Sequence, residues 1–359
     1  MLTSVSLKNV RSWEDAEIPL SPLTVLVGPN ACGKTTVLEA LQFIARMTST
    51  AHRWGGMSPG SHERLLRRGA TRLEIATRGE VELALGVEKE TITLDGLAPA
   101  RFSFVHAESR DRLTGLGGND SLFERFSFLR LLRLEGSRLA APSYSDEPVP
   151  RVQEDGTHLA TVLAYLKQEA PMVFRKIEDG LRRIVPRLEA IRAPRTKVVR
   201  DEVRTVIIDG TATSLREPRT YIGNELLFDM EGAPGIAADQ AGEGTLLALG
   251  LLSALGGIDS PSIALLDDID MRLHPRAQGE LVAIIRAILA SGTTTQFIGT
   301  THSPFFLQHL QPHEVVVVDL TGNRSVARRL DEHPDYERWK DAMGVGEFWS
   351  WAGEAWTSR

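Results

Sequence analysis

Residues 28–36 read GPNACGKTT and carry the spacing G-x-x-x-x-G-K-T. Each fixed position has a chemical reason. Glycines let backbone N–H groups close around phosphates, the Lys34 ammonium reaches the β- and γ-phosphates, and the Thr35 hydroxyl ligates Mg²⁺. Gly28, Pro29, Asn30, Ala31, Cys32, Gly33, Lys34, Thr35 and Thr36 are therefore candidate binding residues for a nucleoside triphosphate with Mg²⁺. The pattern has this meaning only between a strand and a helix. Val25 and Val27 favour a strand before it, while Val37, Leu38, Leu41, Ile44 and Ala45 recur at helical spacing after it. A helix N-terminus then faces the anion.

Two further stretches could complete such a site. Residues 263–268, IALLDD, are four apolar residues ending in acids. This is the pattern of a buried parallel strand that delivers carboxylates to its C-terminal edge. Asp267 is placed to hold Mg²⁺ together with the phosphate-loop hydroxyl, since magnesium needs hard oxygen ligands. Asp268, the next residue, is placed to polarise the attacking water. The apolar strand in TQFIGTTHSP ends in His302, which could contact the γ-phosphate or the water. A lone histidine after a strand has a structural reading as well, but its order after the first two motifs favours the site.

The elements that must position these residues are legible in outline. Residues 1–27 alternate in the manner of strands, and 71–105 do so again in LEIATRG, VELALGV, ETITLDG and RFSFV. Together they predict an antiparallel β layer beside the phosphate loop. From about 121 to 194 the pattern turns helical, in SLFERFSFLRLLRLEGSRL, HLATVLAYLKQ and MVFRKIEDGLRRIVPRLEAI. Residues 141–156, rich in Pro, Ser and acids, read as an exposed loop and a candidate mobile element. Strand signals return from about 204, followed by a helix from about 244, the strand SIALLD, a helix over 275–290 and the strand TQFIGT. The expected division is an N-terminal half of the core over 1–120, a helical lid over 121–200 and a C-terminal half over 201–359.

Composition narrows the setting. With 359 residues the chain can bury a full core, and its single cysteine, Cys32, excludes an internal disulfide or a multi-cysteine zinc site. Cys32 stands in the phosphate loop either because it is small or as a redox switch. A secretory signal is not apparent, and the longest apolar stretch, at 245–258, is shorter than the ~18–20 residues a bilayer needs. The expectation is a cytoplasmic protein without a membrane partner. Net charge is −6, yet arginines gather at Arg64, Arg67, Arg68, Arg72 and Arg78 and again between 175 and 200. They could neutralise DNA phosphates or form solvated faces with interleaved acids.

In this order the motifs resemble an ABC-class P-loop ATPase of the RecF/SMC/OLD-like branch, in the group of stand-alone bacterial AAA family ATPases. The matching pieces are LKNVRSWEDAEIPLSPLTVLVGPNACGKTTVLEAL, LLDDIDMRLHPRAQ and FIGTTHSPFFL, with weaker matches in RRGA, DGTHLATVL, AGEGTLLALGLL and MGVGEFW. The resemblance implies an α/β fold with a P-loop ABC-type core, in which a parallel sheet with helices lies beside an antiparallel β layer and carries an inserted helical lid. It also implies ATP with Mg²⁺ sandwiched in a homodimer or higher homo-oligomer. The second protomer would supply a signature loop, here Gly242, Glu243 and Gly244, where relatives usually carry serine at the position of Gly242. Catalysis would fall to Lys34, Asp268 and His302. Asp270 and His274-Pro275 would have positioning roles.

Asp268 stands where the family more often has glutamate. A carboxylate one methylene shorter withdraws by about one C–C bond, and misplacement on that scale costs ~100-fold in rate. Slow hydrolysis is the expectation. The Q-loop has a candidate in FVHAESR at 104–110, which has no glutamine. Sustained heptads are missing between the phosphate loop and the signature, so a lid is expected in place of a coiled-coil arm. Only about forty residues follow the strand EVVVVD, too few for the nuclease domain of OLD proteins. The terminal MGVGEFWSWAGEAW either packs on the core or offers an aromatic docking surface. By family analogy the expected role is a regulatory ATPase of a bacterial anti-phage system that controls a separate nuclease or toxin. The alternative is a RecF-like repair ATPase that binds duplex DNA. A transporter subunit fits less well, because Leu-His-Pro follows the acids.

Overall fold

The computed structural model describes residues 1–51, 64–79, 83–89, 100–105, 128–208, 211–258, 261–270, 273–290 and 295–358. Its elements, in chain order, begin with β1 (Leu2–Val10), β2 (Trp13–Pro19), β3 (Leu23–Val27), α1 (Lys34–Ala51), β4 (Arg72–Gly79), β5 (Leu83–Lys89), β6 (Ala100–Val105) and β7 (Leu129–Leu132). They continue with α2 (Leu159–Glu169), α3 (Pro171–Ile184), β8 (Leu188–Arg192), β9 (Arg195–Ile208), β10 (Thr211–Asn224), β11 (Leu227–Met230), β12 (Ala233–Ala237) and α4 (Glu243–Gly256). The last are β13 (Ile263–Leu266), α5 (Pro275–Ala290), β14 (Gln296–Thr301), β15 (Val315–Thr321), β16 (Arg324–Arg329) and α6 (Val345–Ala352). The chain forms two units, one of residues 1–131, 261–271 and 282–359, the other of residues 132–260 and 272–281.

The first unit is built on a six-stranded sheet of order β16-β15-β3-β14-β13-β7. β3 sits inside it, parallel to both β14 and β15, and all five of its residues are buried. That burial on both faces is why LTVLV reads as an unbroken apolar run. A second, antiparallel sheet has the order β2-β1-β4-β5-β6. The expected antiparallel layer is therefore present, and the fold is the α/β core anticipated. The fully buried Gln296 joins the sheets: its Oε1 accepts from Leu2 N–H at 2.9 Å, and its Nε2 donates to Leu2 O at 2.8 Å and Ser21 O at 3.0 Å.

The second unit holds α2, α3, α4, a three-stranded sheet β12-β11-β8 and the hairpin β9-β10. α3 buries Phe174, Ile177 and Leu181, one stripe at helical spacing, after Pro171 at its start. α4 buries every residue from Leu246 to Leu255, so its apolar character all round marks a core helix.

Three expectations need correction. Within the stretch read as helical, residues 129–132 form the edge strand β7 and only residues 136–140 form a one-turn helix; residues 121–127 lie outside the described residues. RLEAI is the strand β8, because Pro186 has no N–H to continue α3 and disfavours a helical Val185. The hairpin strands begin at Arg195, earlier than 204, and run 14 residues each. Residues 141–156 contain no helix or strand, yet they are tied down. Ser143 and Asn224 exchange backbone bonds at 2.8 Å, and Glu154 O and Asp155 O accept from Arg133 and Glu135 N–H. Residues 106–110 of the Q-loop candidate at 104–110, and all of ETITLDG at 90–96, lie outside the described residues.

Replacing Gln296 with Ala leaves both polar groups of the buried Leu2 backbone without their partner. The expected loss is about 2–3 kcal/mol of unfolding free energy, measured by urea titration. A midpoint unchanged from the parent would show that the two sheets do not depend on this residue.

Candidate functional site

The phosphate loop leaves the C-terminal end of β3 and feeds α1. Gly28 has φ +151°, and a Cβ there would stand 2.0 Å from Val318 O of β15. Gly33 has φ +105°, and a Cβ there would meet Ser325 Oγ at 2.7 Å and Trp13 Nε1 at 2.9 Å. Both positions therefore need glycine. Trp13 Nε1 donates to Gly33 O at 3.1 Å, while Ser325 Oγ donates to Cys32 O at 2.7 Å and lies 2.6 Å from the Ser12 hydroxyl. Arg67 donates to Ser12 O and Asn323 O, and Arg11 pairs with Glu39 at 2.6 Å and reaches Thr36 Oγ1 at 3.5 Å. This outer bracket holds the loop from behind.

Lys34 is only 6% exposed, and its Nζ donates to Gly28 O at 2.9 Å and Pro29 O at 2.7 Å. The ammonium thus sits within the turn of the loop, while Pro29, Asn30 and Ala31 form its exposed rim. Cys32 is buried, and that burial raises its thiol pKa against the opposing pull of Lys34. A raised pKa removes thiolate at neutral pH. The small-residue reading of Cys32 therefore fits better than a redox switch.

The acids arrive from β13. Asp267 Oδ1 accepts from Thr35 Oγ1 at 3.1 Å and from Thr300 Oγ1 at 2.9 Å. An octahedral Mg²⁺ with bonds of about 2.1 Å holds neighbouring ligands about 3 Å apart. Thr35 Oγ1 and Asp267 Oδ1 have that spacing and that oxygen chemistry, so the residues fit the ion. Among the described residues there is no cluster of three or more His, Cys, Asp or Glu side chains that could hold a metal.

Asp268 has φ +50°, a left-handed backbone that Asp and Asn tolerate better than most residues, and its N–H donates to Thr300 Oγ1 at 2.8 Å. Its carboxyl pKa is raised, first by burial and then by the Asp267 charge, with His302 pulling the other way. His302 is exposed just beyond β14, and its neighbours are anchored: Thr301 Oγ1 bonds Asp270 Oδ1 and accepts from Ser303 N–H at 3.0 Å. Lys34, Thr35, Asp267, Asp268 and His302 are thus brought to one end of the parallel sheet. Thr300, Thr301, Ser12, Trp13 and Ser325 escaped the sequence reading. The signals were the paired threonines before His302 and the SW that follows Arg11.

In the second unit Gly242 precedes α4 and is exposed, with Glu243 and Gly244 in the first turn. His274 O accepts from Ala277 N–H at 2.7 Å, with Pro275 opening α5. Part of the second basic cluster is ion-paired: Arg182 with Glu178 and Asp179, Arg183 with Glu280, Arg187 with Glu231, and Arg192 with Asp229. In the first, Arg72 pairs with Glu74 and Arg78 with Glu17. These pairs are the interleaved acids of a solvated face, and they engage part of each cluster.

The raised pKa of Asp268 gives a testable sign. Ionising the carboxyl costs more in the folded chain than in the unfolded one, so the cost is complete above the raised folded pKa. It vanishes as pH falls below the ordinary aspartate value. Asp268→Asn should therefore raise the Tm of protein measured without nucleotide at pH 7.5, and the gain should shrink by pH 4. An equal Tm at pH 7.5 would contradict the assigned environment.

Comparison with known proteins bears on the family and the fold. Residues 119–308, more than half of the chain, match the family model described as "AAA domain, putative AbiEii toxin, Type IV TA system", and residues 1–91 match "AAA ATPase domain". Similar curated proteins include an OLD nuclease from Thermus scotoductus, 50% identical over 44 residues, which are 12% of this chain and 8% of that protein. A RecF from Corynebacterium jeikeium is 41% identical over 69 residues, 19% of this chain and 15% of the relative. The Septu protein PtuA from Bacillus thuringiensis is 30% identical over 103 residues, 26% and 25% of the two chains. The matched segments thus span a quarter or less of each of these relatives. Among solved structures, an SMC head bound to the C-terminal winged-helix domain of ScpA superposes with a TM-score of 0.56 at 14% identity, covering 92% of this chain and 98% of that one. An SMC head from Pyrococcus furiosus gives 0.54 at 11% identity, covering 95% and 99%. At such identities these structures attest the fold alone. Among the described residues no helix is long and apolar enough to cross a membrane. The chain belongs to the AAA-domain family whose model covers residues 119–308, and it is an ABC-class P-loop ATPase of the RecF, SMC and OLD type.

Proposed function

We propose that the protein is a slow ATP-hydrolysing switch that dimerises around ATP and regulates a separately encoded nuclease or toxin in anti-phage defence. The observation that carries the ATPase reading is the joining of Thr35 and Asp267 at 3.1 Å, with Lys34 inside the loop and Asp268 next in the chain. Thr35 and Asp267 would hold Mg²⁺, which when bound neutralises charge on the phosphates. Lys34 exchanges its two loop carbonyls for phosphate oxygens, a stronger charge-assisted pairing. Asp268 orients the attacking water and accepts its proton, aided by a pKa raised toward the working range. Its short reach keeps turnover low. His302 contacts the γ-phosphate and distinguishes ATP from ADP.

Gly242, which is exposed, and Glu243 and Gly244, which are half-buried, serve the partner's nucleotide as donors at the start of a 14-residue helix. Two copies close when both sites hold ATP, because ATP then binds the dimer more tightly than the monomer. The defence role rests on the likeness to PtuA and the OLD nuclease and on the toxin–antitoxin description of the family. The alternative, a RecF-like ATPase on duplex DNA, is favoured by the RecF matches, while the ion pairs of Arg183 with Glu280 and Arg192 with Asp229 take up part of the charge that would meet phosphates.

Lys34→Ala should abolish ATP binding, and Asp268→Asn should hold ATP without hydrolysing it and shift the protein to dimer in light scattering. An Asp268→Asn variant that turns over ATP as fast as the parent would remove Asp268 from its role. Pull-down with that variant, ATP and added nuclease, compared against Lys34→Ala, separates the two settings. Enrichment of one nuclease or toxin supports the defence reading. Salt-sensitive duplex binding, or loss of every partner on digestion of DNA, supports the repair reading.

A further inference from the structure

The segment MGVGEFW plays no part in the site described above, yet it ends against the turn that carries His302. Beyond β14 the chain passes through His302 and Ser303 into the one-turn helix Pro304–Leu307, where Ser303 Oγ accepts from Phe306 N–H at 3.3 Å. Phe306 and Leu307 are fully buried. Two glycines of the C-terminal segment press on this turn. A Cβ on Gly346 would stand 1.9 Å from Pro304 O, and a Cβ on Gly344 would stand 1.6 Å from Gln308 Nε2. Gly346 N–H donates to Gln308 Oε1 at 3.1 Å. α6 then buries Phe348 edge-on against His333 at 5.2 Å and Tyr336 at 5.4 Å, and Trp356 meets His333 at 4.9 Å.

We propose that α6 is a positioning element for His302, with Gly346 and Gln308 as the residues that fix the histidine's turn. A helix that only filled space would rest side chains on its neighbour and tolerate small shifts. Here backbone meets backbone with no room for a methyl group, and the Gln308 side chain is hydrogen-bonded to the helix. Displacement of α6 therefore passes to Pro304 and from there to His302, two residues earlier. On the other side the turn is held by the bonds of Thr301 to Asp270 and Ser303. The histidine stands between two fixed points, and a shift of about 1 Å at a reacting group is enough to slow chemistry by up to ~100-fold. Gln308 is a positioning residue, and it acts through the turn of His302.

This inference rests on the reading of His302 as the γ-phosphate contact, and the experiment keeps the two apart. Steady-state ATPase rates and ATP affinity are measured for the parent, His302→Ala, Gln308→Ala, Gln308→Glu, Gly346→Ala and, as a control, Met172→Ala, a residue of α3 that is 66% exposed. Gln308→Ala and Gly346→Ala should lower kcat about 10-fold with KM within about twofold. Gln308→Glu keeps an acceptor for Gly346 N–H and should restore the rate, and Met172→Ala should match the parent. In the His302→Ala background neither Gln308→Ala nor Gly346→Ala should slow the enzyme further. Thermal melts identify a Gly346→Ala protein that fails to fold, and Gln308→Ala, which adds no atom to the contact, then carries the test. Rates within about twofold of the parent for Gln308→Ala, or an equal loss with and without His302, would overturn the positioning role. A His302→Ala enzyme as fast as the parent would overturn the reading of His302 itself.

Discussion

One carboxylate oxygen organises the site. Asp267 Oδ1 receives hydroxyl bonds from Thr35, at the head of α1, and from Thr300, on β14, so three elements distant in sequence meet on a single atom at the end of β13. The acceptor is charged, which makes each bond worth more than a neutral pair. The same Thr300 hydroxyl accepts from the N–H of Asp268, and that bond holds the next residue in its left-handed conformation. Removing Asp267 would thus free the metal ligand, the strand end and the orientation of the neighbouring acid together.

The phosphate loop shows the complementary constraint. A loop of glycines and small residues has high conformational entropy and needs outside support to hold one shape. Trp13, Ser12 and Ser325 supply it by bonding the carbonyls of Cys32 and Gly33 or one another, which turns the N–H side of that stretch toward the anion position. Support comes from β2 and β16, on different sheets, so the loop's shape is a property of the whole first unit.

What the sequence disclosed follows from this division. The phosphate loop, the acid pair and His302 are legible because the chemistry demands particular residue types at contiguous positions. The bracket is not, since Ser12 and Ser325 are ordinary serines until β2 and β16 bring them together. β7 was misread because LRLL suits a buried strand and a buried helix equally, and only its place beside β13 decides. Pro186 was the available signal for the end of α3, and the apolar spacing across it hid the change to β8. For residues 141–156, composition predicted the lack of regular structure and could not foretell the backbone bonds to Asn224, Arg133 and Glu135 that fix them.

The geometry also bears on why such a loop selects polyphosphates. Lys34 already donates to two carbonyls of its own loop, so an incoming ligand competes with neutral acceptors that are in place and need no ordering. A weak or singly charged anion gains little from that exchange. A triphosphate offers several charged oxygens at once, to Lys34 and to the start of α1, and its metal would draw Asp267 and Thr35 into the same set of bonds. Selectivity then arises from the number of charged contacts made together. The bracket behind the loop favours this because a loop already held in one conformation loses little further entropy when the ligand arrives.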